Sequence, residues 1–423
     1  MLVEPDQYPA SFLVRWQNAY NFGLFFRPFT VFKGLVLAQA QPASPRIWLV
    51  LGDKRGDNGQ VEAIAEALSR RFDWSSEWHH VEMLPKYVLG KPRPGPTLHH
   101  IDRERSDPLT PPWPDLILTS GRRPANVALW IRKQSGGRSR IVLVGRPAGF
   151  LFHYQSRFDL IITSAETMPA PFPNVTHISL PLMRVDEARL DAGRREWQAA
   201  FSALPRPLVV FLIGGPTRPF VYDDAVLDRL CVRVGQVVAA GGTPYLVTSR
   251  RTPADFAARL KAALPEAARF YDWRNPEGEN PYAGLLALGD RFVVTGDSIS
   301  MMVEVAKLGR PLEILPLPTS LVGGLDQARR RLAVWLFQPA RNNGAGERLR
   351  IALARGLYHA RLMQQARHFP RFHQRLVDEG LASWIGEGGD EPRSSADGVA
   401  RVLSQGERDL ARITDRIARL FQA

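Results

Sequence analysis

A helix-length pattern that begins at Thr295-Gly296-Asp297-Ser298 carries Asp297, Ser300 and Glu304 at steps of three and four. That spacing puts them on one side, away from the apolar side made by Ile299, Met302, Val303 and Ala306. A carboxylate there suits a ribose diol, and a hydroxyl-rich helix start suits phosphate oxygens. Asp297 or Ser298 is expected to cap the first turn, and Gly309 with Pro311 to end the helix. Glu304 lies off the apolar side, so its removal is expected to leave packing intact. Four further stretches offer related chemistry. In Gly214-Gly215-Pro216-Thr217-Arg218 the glycines let backbone N–H groups approach a phosphate, and Thr217 and Arg218 add donors. Thr248-Ser249-Arg250-Arg251 brings the positive charge a diphosphate requires. Gly52-Asp53-Lys54-Arg55-Gly56-Asp57-Asn58-Gly59-Gln60 and Ser120-Gly121-Arg122-Arg123 combine glycine with acid, amide and guanidinium.

Each of these stretches follows an apolar run of strand length. "RIWLVLGDKRGDNGQVEAIAEALSRRF" reads as strand, glycine-rich turn and helix, and "DLILTSGRRPANVALWIRK" repeats the plan. "RIVLVGRP" and "FDLIITSAE" supply further strands before the proline-flanked Leu204-Pro205-Arg206-Pro207, which reads as a linker. The plan then restarts with "LVVFLIGGPTRPF", "TPYLVTSRRTP", a short "ARFYDW", "RFVVTGDS" and finally "RPLEILPLP", which is expected to end the sheet. Strands alternating with helices imply parallel sheets covered on both faces. Ligands of such sheets bind outside the carboxyl ends of the strands, where all five polar turns fall. The first loop, G-x-x-x-G-x-x-G, is neither the dinucleotide fingerprint nor a Walker loop.

Composition narrows the function classes. A single cysteine, Cys231, excludes an internal disulfide and a cysteine-rich metal site. The nine histidines form no H-x-x-x-H pair on a helical pattern, and His79-His80 and His99-His100 read as solvated loop residues, so no structural metal is expected. The net charge of +13 suits polyanions, but no finger, RNA-recognition or basic-zipper signature accompanies it, and nucleic acid is not expected as a partner. Residues 12–38 mix aromatics with Arg15, Arg27 and Lys33. They hold no apolar run near the roughly 18 residues of a membrane span and no clear signal peptide. Two readings fit them: an interfacial segment on a membrane, or an arm packed on the protein itself.

The ordered set "LGDKRGDNGQ", "TSGRRPANVALWIRK", "IGGPTRPF", "LVTSRRTP" and "GENPYAGLLALGDRFVVTGDSISMMVEVAKLGRPLEI" resembles the bacterial and plant mitochondrial-fission Elm (elongate mitochondria) family over residues 46–320. That family is similar to GT-B glycosyltransferases such as the enzyme that makes lipid II and lipid A disaccharide synthase. The resemblance implies two Rossmann-like parallel-sheet domains facing a cleft. An arm at 1–45 would precede an acceptor domain at 46–205 and a nucleotide-sugar domain at 206–320, with a basic helical extension at 321–423. The long arm, the extension and "GRPAGFLFHYQSRFD" depart from the family pattern.

The expected activity is a membrane-peripheral, metal-independent glycosyltransferase using a nucleotide-diphosphate sugar, with no cofactor beyond that donor. Helix dipoles and arginines would stabilise the leaving diphosphate. The donor set is Gly214, Gly215, Thr217, Arg218, Ser249, Arg250, Arg251, Thr295, Asp297, Ser298, Ser300 and Glu304, with Glu304 at the family's ribose-holding position. The acceptor side is Gly56, Asn58, Gln60, Gly121, Arg122 and Arg123. Asp57 is the candidate general base and Asp53 the second choice. Partners would include anionic membrane or a lipid-linked acceptor, at a cytoplasmic site on the inner membrane and in work on the cell envelope. The rival reading is a non-catalytic scaffold of the same fold. An epimerase or dehydrogenase fits less well, because the dinucleotide fingerprint and a Tyr-x-x-x-Lys pair are missing.

Overall fold

The computed structural model describes residues 44–88, 95–145, 157–164, 167–182, 186–319, 331–338, 342–360, 362–363, 365–387 and 396–422. The aromatic and basic arm lies outside these residues, as do most of the "GRPAGFLFHYQSRFD" segment and most of the glycine-rich stretch after Trp384.

Among the described residues seven strands form in the N-terminal half: β1 Ile47–Leu51, β2 Ser76–His80, β3 Leu116–Ser120, β4 Arg140–Val144, β5 Leu160–Ser164, β6 Thr167–Pro169 and β7 Val175–Ile178. Six of them make a sheet in the order β2-β1-β3-β4-β5-β7, with every neighbouring pair parallel. The alternation of side chains along β1 divides the core in two. Ile47, Leu49 and Leu51 pack with Val61, Ile64 and Leu68 of the helix Arg55–Phe72. Trp48 and Val50 pack on the opposite face with Ala125, Ala128 and Ile131 of the helix Arg122–Gln134. A strand covered on both faces has no polar side, which is why these strands read as continuous apolar runs.

The C-terminal half adds β8 Leu208–Ile213, β9 Thr243–Thr248, β10 Arg269–Tyr271, β11 Arg291–Thr295, β12 Leu312–Leu315, β13 Gln365–Arg367 and β14 Ser383–Trp384. Its sheet runs β10-β9-β8-β11-β12-β14, again with parallel neighbours. The chain is therefore α/β with two six-stranded parallel sheets, the fold class expected.

Three expectations are corrected here. The second sheet does not end at "RPLEILPLP", because β14 pairs with β12 at Glu313–Ser383 and Ile314–Trp384. The helix Glu187–Ser202, assigned to the N-terminal domain by the 46–205 boundary, packs on the C-terminal core. Its Leu190 and Phe201 belong to that core, and a Cβ on Gly193 would stand 2.7 Å from the Ala283 backbone. Nor is the stretch after 320 a separate body. The helix Phe369–Asp378 buries Phe369, Phe372 and Leu376 in the second core. The helix Ala396–Arg419 buries Ile413 and Ile417 in the first, and β13 pairs antiparallel with β6.

Candidate functional site

The five polar turns leave the carboxyl ends of β1, β3, β8, β9 and β11. Leu212, Ile213, Val293 and Val294 are at most 2% exposed, and the polar turns begin at the last position of a strand or just beyond it.

In the C-terminal half the turns close on Asp297, which is 4% exposed. Gly215 N–H donates to Asp297 Oδ2 at 3.0 Å, and Gly214 N–H donates to Thr295 Oγ1 at 2.8 Å. Tyr222 O–H donates to Asp297 Oδ1 at 2.6 Å and lies 3.0 Å from Thr295 Oγ1. Arg251 Nη2 donates to Asp297 Oδ2 at 3.3 Å, and its Nη1 donates to Thr217 Oγ1. Burial, followed by the Asp297 charge, drives the Tyr222 phenol far above its ordinary pKa. The loops approach so closely that only glycine fits. A Cβ on Gly214 would lie 2.2 Å from Ser298 Oγ, and one on Gly215 would lie 2.2 Å from Arg251 O. Ser249 faces Thr252, whose Oγ1 is 3.1 Å from Ser249 Oγ and also donates to Ile213 O at 3.1 Å.

This network changes two sequence readings. The Gly214 and Gly215 amides, expected to meet phosphate, are bonded within the protein. Asp297 and Ser298 do not cap the following helix. Ser298 holds the N-cap position with no side-chain bond to a helix amide, and its hydroxyl donates instead to Asp297 Oδ2 at 3.4 Å. The helix Ile299–Lys307 thus begins without a side-chain cap. Ser300 in its first turn is exposed, as is Arg218 at the neighbouring turn.

Glu304 stands apart from the Asp297 network. Its Oε2 accepts from Tyr282 O–H at 2.7 Å, and its Oε1 lies 3.8 Å from Arg189 Nη1. Burial raises the Glu304 carboxyl pKa, with Tyr282 and Arg189 opposing. It is a partly buried, engaged side chain, so the expectation that its removal leaves packing intact is corrected.

In the N-terminal half Asn58 secures the first loop by two bonds. Its Oδ1 accepts from Gly52 N–H at 3.2 Å, and its Nδ2 donates to Gly52 O at 2.8 Å. Asp57 lies with Gly56 in the first turn of the helix Arg55–Phe72, with Gln60 in the next turn, and is 3.7 Å from Lys54 Nζ. It also faces Gly121, where a Cβ would come 3.2 Å from Asp57 Oδ2 and where φ is +81°. Arg122 opens the next helix, and Arg123 beside it is buried. Asp53 lies 3.8 Å from Arg123 Nη1 and 3.7 Å from Arg250 Nη1 of the other half. Burial lowers the Arg123 pKa, against the pull of Asp53. The Asp53–Arg250 pair shows the two rims facing each other. The arginine-bearing loop after β9 and the carboxylate-bearing loop after β1 thus border one cleft.

Several residues of this region were missed. Tyr222, Thr252, Tyr282 and Arg189 were not among the candidate site residues, and folding brings them to it. His373, from the helix Phe369–Asp378, places Nε2 2.7 Å from Gly296 O. Burial lowers its pKa to about 4, so the ring is neutral and Nε2–H donates to the carbonyl. His100, expected in solvent, is fully buried with Nε2 3.2 Å from Arg123 O. His79 and His80 lie in β2 rather than in a loop. Among the described residues, no helix is long and apolar enough to cross a membrane.

Comparison with known proteins places the chain. Residues 55–332 match the family model described as Mitochondrial fission ELM1. The Arabidopsis thaliana mitochondrial fission protein ELM1 is 29% identical over 224 residues, covering 48% of this chain and 51% of that protein. The chain thus spans about half the length of that relative. Among solved structures, the chain is similar to E. coli ADP-heptose lps heptosyltransferase II, with a TM-score of 0.37, 12% identity and coverage of 64% and 84% of the two chains. It is also similar to UDP-GlcNAc 2-epimerase from Neisseria meningitidis bound to UDP-GlcNAc, with a TM-score of 0.40, 10% identity and coverage of 85% and 99%. About two thirds of the chain align with one family model, and the chain belongs to the Mitochondrial fission ELM1 family.

Proposed function

We propose that this protein is a membrane-peripheral glycosyltransferase that takes a nucleotide-diphosphate sugar in its C-terminal half and an acceptor hydroxyl, such as that of a lipid-linked acceptor, in its N-terminal half. The observation that carries this reading is the uncapped start of the helix Ile299–Lys307 beside Arg251, whose sequence neighbour Arg250 faces the opposing rim. First-turn amides carry partial positive charge, and two guanidiniums at the same rim add to it. Together they suit the charge that grows on a leaving diphosphate without help from a metal ion. No cofactor beyond the donor is part of the proposal. Glu304 would accept from a ribose hydroxyl. Asp57 would take the acceptor proton as the sugar–phosphate bond breaks and the new glycosidic bond forms. Asp53 is the second choice, because its carboxylate already faces Arg123 and Arg250.

A second reading, a non-catalytic scaffold, draws on a specific observation: the Gly214 and Gly215 amides are already bonded to Thr295 and Asp297. A donor would have to use the remaining groups or displace these bonds.

Titration calorimetry with nucleoside diphosphates and nucleotide sugars, with and without a chelator, tests the proposal. Equal binding in both conditions is the expected result. Binding that needs the metal overturns the metal-free mechanism, and absence of binding across the set moves the assignment to the scaffold. With a transferring pair in hand, Asp57→Asn should retain donor binding and lose about a hundredfold or more in rate.

A further inference from the structure

Among the described residues nine large apolar side chains are exposed, and five of them, Leu332, Trp335, Leu349, Leu353 and Leu362, fall within 331–363. The helix over 331–337 buries Ala333, Leu336 and Phe337 against the first sheet's core. It leaves Leu332 and Trp335, three positions apart, in solvent. The helix Ala345–His359 does the same. Arg350, Ala354 and Tyr358 are buried at steps of four, whereas Leu349 and Leu353, each one position earlier, are 72% and 49% exposed. A helix that serves only a core needs one apolar stripe. These two helices carry a second, outward one.

Charge indicates what meets it. Residues 331–363 contain six arginines and one acid, Glu347. Glu347 pairs with Arg350 at 2.6 Å. Arg350 also donates to Trp335 O at 3.1 Å, tying the two helices together. The acid is therefore consumed inside the structure, while Arg331 and Arg348 stay exposed beside Leu332 and Leu349. A groove of about 580 Å³ opens between Trp335, Leu349 and Leu353.

We propose that the outer face of these two helices docks on an anionic lipid surface, with Leu332, Trp335, Leu349 and Leu353 entering the acyl boundary and Arg331 and Arg348 meeting the headgroups. Apolar side chains alone would suit many partners. Apolar side chains and a tryptophan flanked by arginines, with the lone acid neutralised, suit an anionic interface. This inference rests on the membrane-peripheral part of the function proposed above. It assigns attachment to a surface on the acceptor half, because these helices pack on the first sheet.

Flotation of the full chain with vesicles of phosphatidylcholine, alone or mixed with phosphatidylglycerol, tests it. Binding should require the anionic lipid and weaken with salt. The double variant Leu349→Glu/Leu353→Glu should lower partitioning at least about tenfold. Both positions are exposed, and retained circular dichroism would show that the variant folds. Titration of UDP or ADP into the same variant should match the wild type, so loss of this surface and loss of the donor site are read separately. Undiminished flotation of the double variant overturns the proposal, as does binding indifferent to lipid charge. A wild-type dimer that dissociates on the double substitution, with no flotation, would assign the face to a second copy of the chain.

Discussion

Asp53, in the loop after the first strand of the N-terminal sheet, lies 3.7 Å from Arg250 of the C-terminal half. An arginine offered to a diphosphate is thus already held by a carboxylate of the opposing rim. Removing that competitor should help an anionic ligand. Asp53→Asn is expected to tighten nucleoside-diphosphate binding by up to about fivefold, since partly exposed pairs contribute about 0.2–1 kcal/mol. Arg250→Ala should weaken it about ten- to a hundredfold. Calorimetry at low salt checks both, and weaker binding by Asp53→Asn would refute the competition.

Glu304 bonds to the Tyr282 hydroxyl, which is itself removed from solvent. Glu304→Ala leaves that hydroxyl unpaired and should cost about 1–3 kcal/mol of stability. Glu304→Gln keeps an acceptor for Tyr282 and should cost less. If Glu304 also holds ribose, both variants lose preference for ribose over deoxyribose nucleotides. Chemical denaturation and paired titrations separate the two roles, and an unchanged ribose preference in Glu304→Gln would remove Glu304 from the donor site.

Asp297 accepts from Gly215, Tyr222 and Arg251. Tyr222→Phe removes one of these donors without creating a void and should lower stability by about 1 kcal/mol. Asp297→Ala strands the Gly215 N–H and takes an acceptor from Tyr222 and Arg251, and should cost more, about 2–4 kcal/mol. Similar losses in the two variants, measured by urea unfolding, would show that the carboxylate does not organise the turns.

His373 has its pKa lowered to about 4 by burial, against about 6.5 in an unfolded chain. Above the unfolded value both states are neutral and the histidine's stabilising contribution is fully present. As pH falls below about 6.5 the unfolded state takes a proton that the folded state refuses, so stability is lost down to about pH 4. The full effect approaches about 3 kcal/mol. His373→Gln should flatten this part of the stability–pH curve, although it weakens the bond to Gly296. His177, also lowered to about 4 by burial and by Arg371 and Arg412, should leave a residual slope in the same window.

The sequence by itself determined the two α/β halves, the parallel sheets and the rim of polar turns. These follow from local facts: apolar runs of strand length, glycines at the turns and helical spacing after them. The buried stripe Ile299, Met302, Val303 and Ala306 was legible for the same reason, since a helix sorts its side chains by a fixed period. What each polar side chain does was decided only in three dimensions. Spacing offered Asp297 as a cap, but Tyr222, 75 positions away, and Gly215, 82 away, compete for the same carboxylate, and they hold it. Glu304 was expected to stand free of packing, off the apolar side, because nothing nearby in sequence marks Tyr282 or Arg189 as its neighbours. His373 under Gly296 and β14 beside β12 come from a stretch whose sequence carries no trace of the sheet it completes. Local pattern fixes which way a side chain faces, whereas long-range packing chooses its partner, and the partner sets its charge and its availability to a ligand.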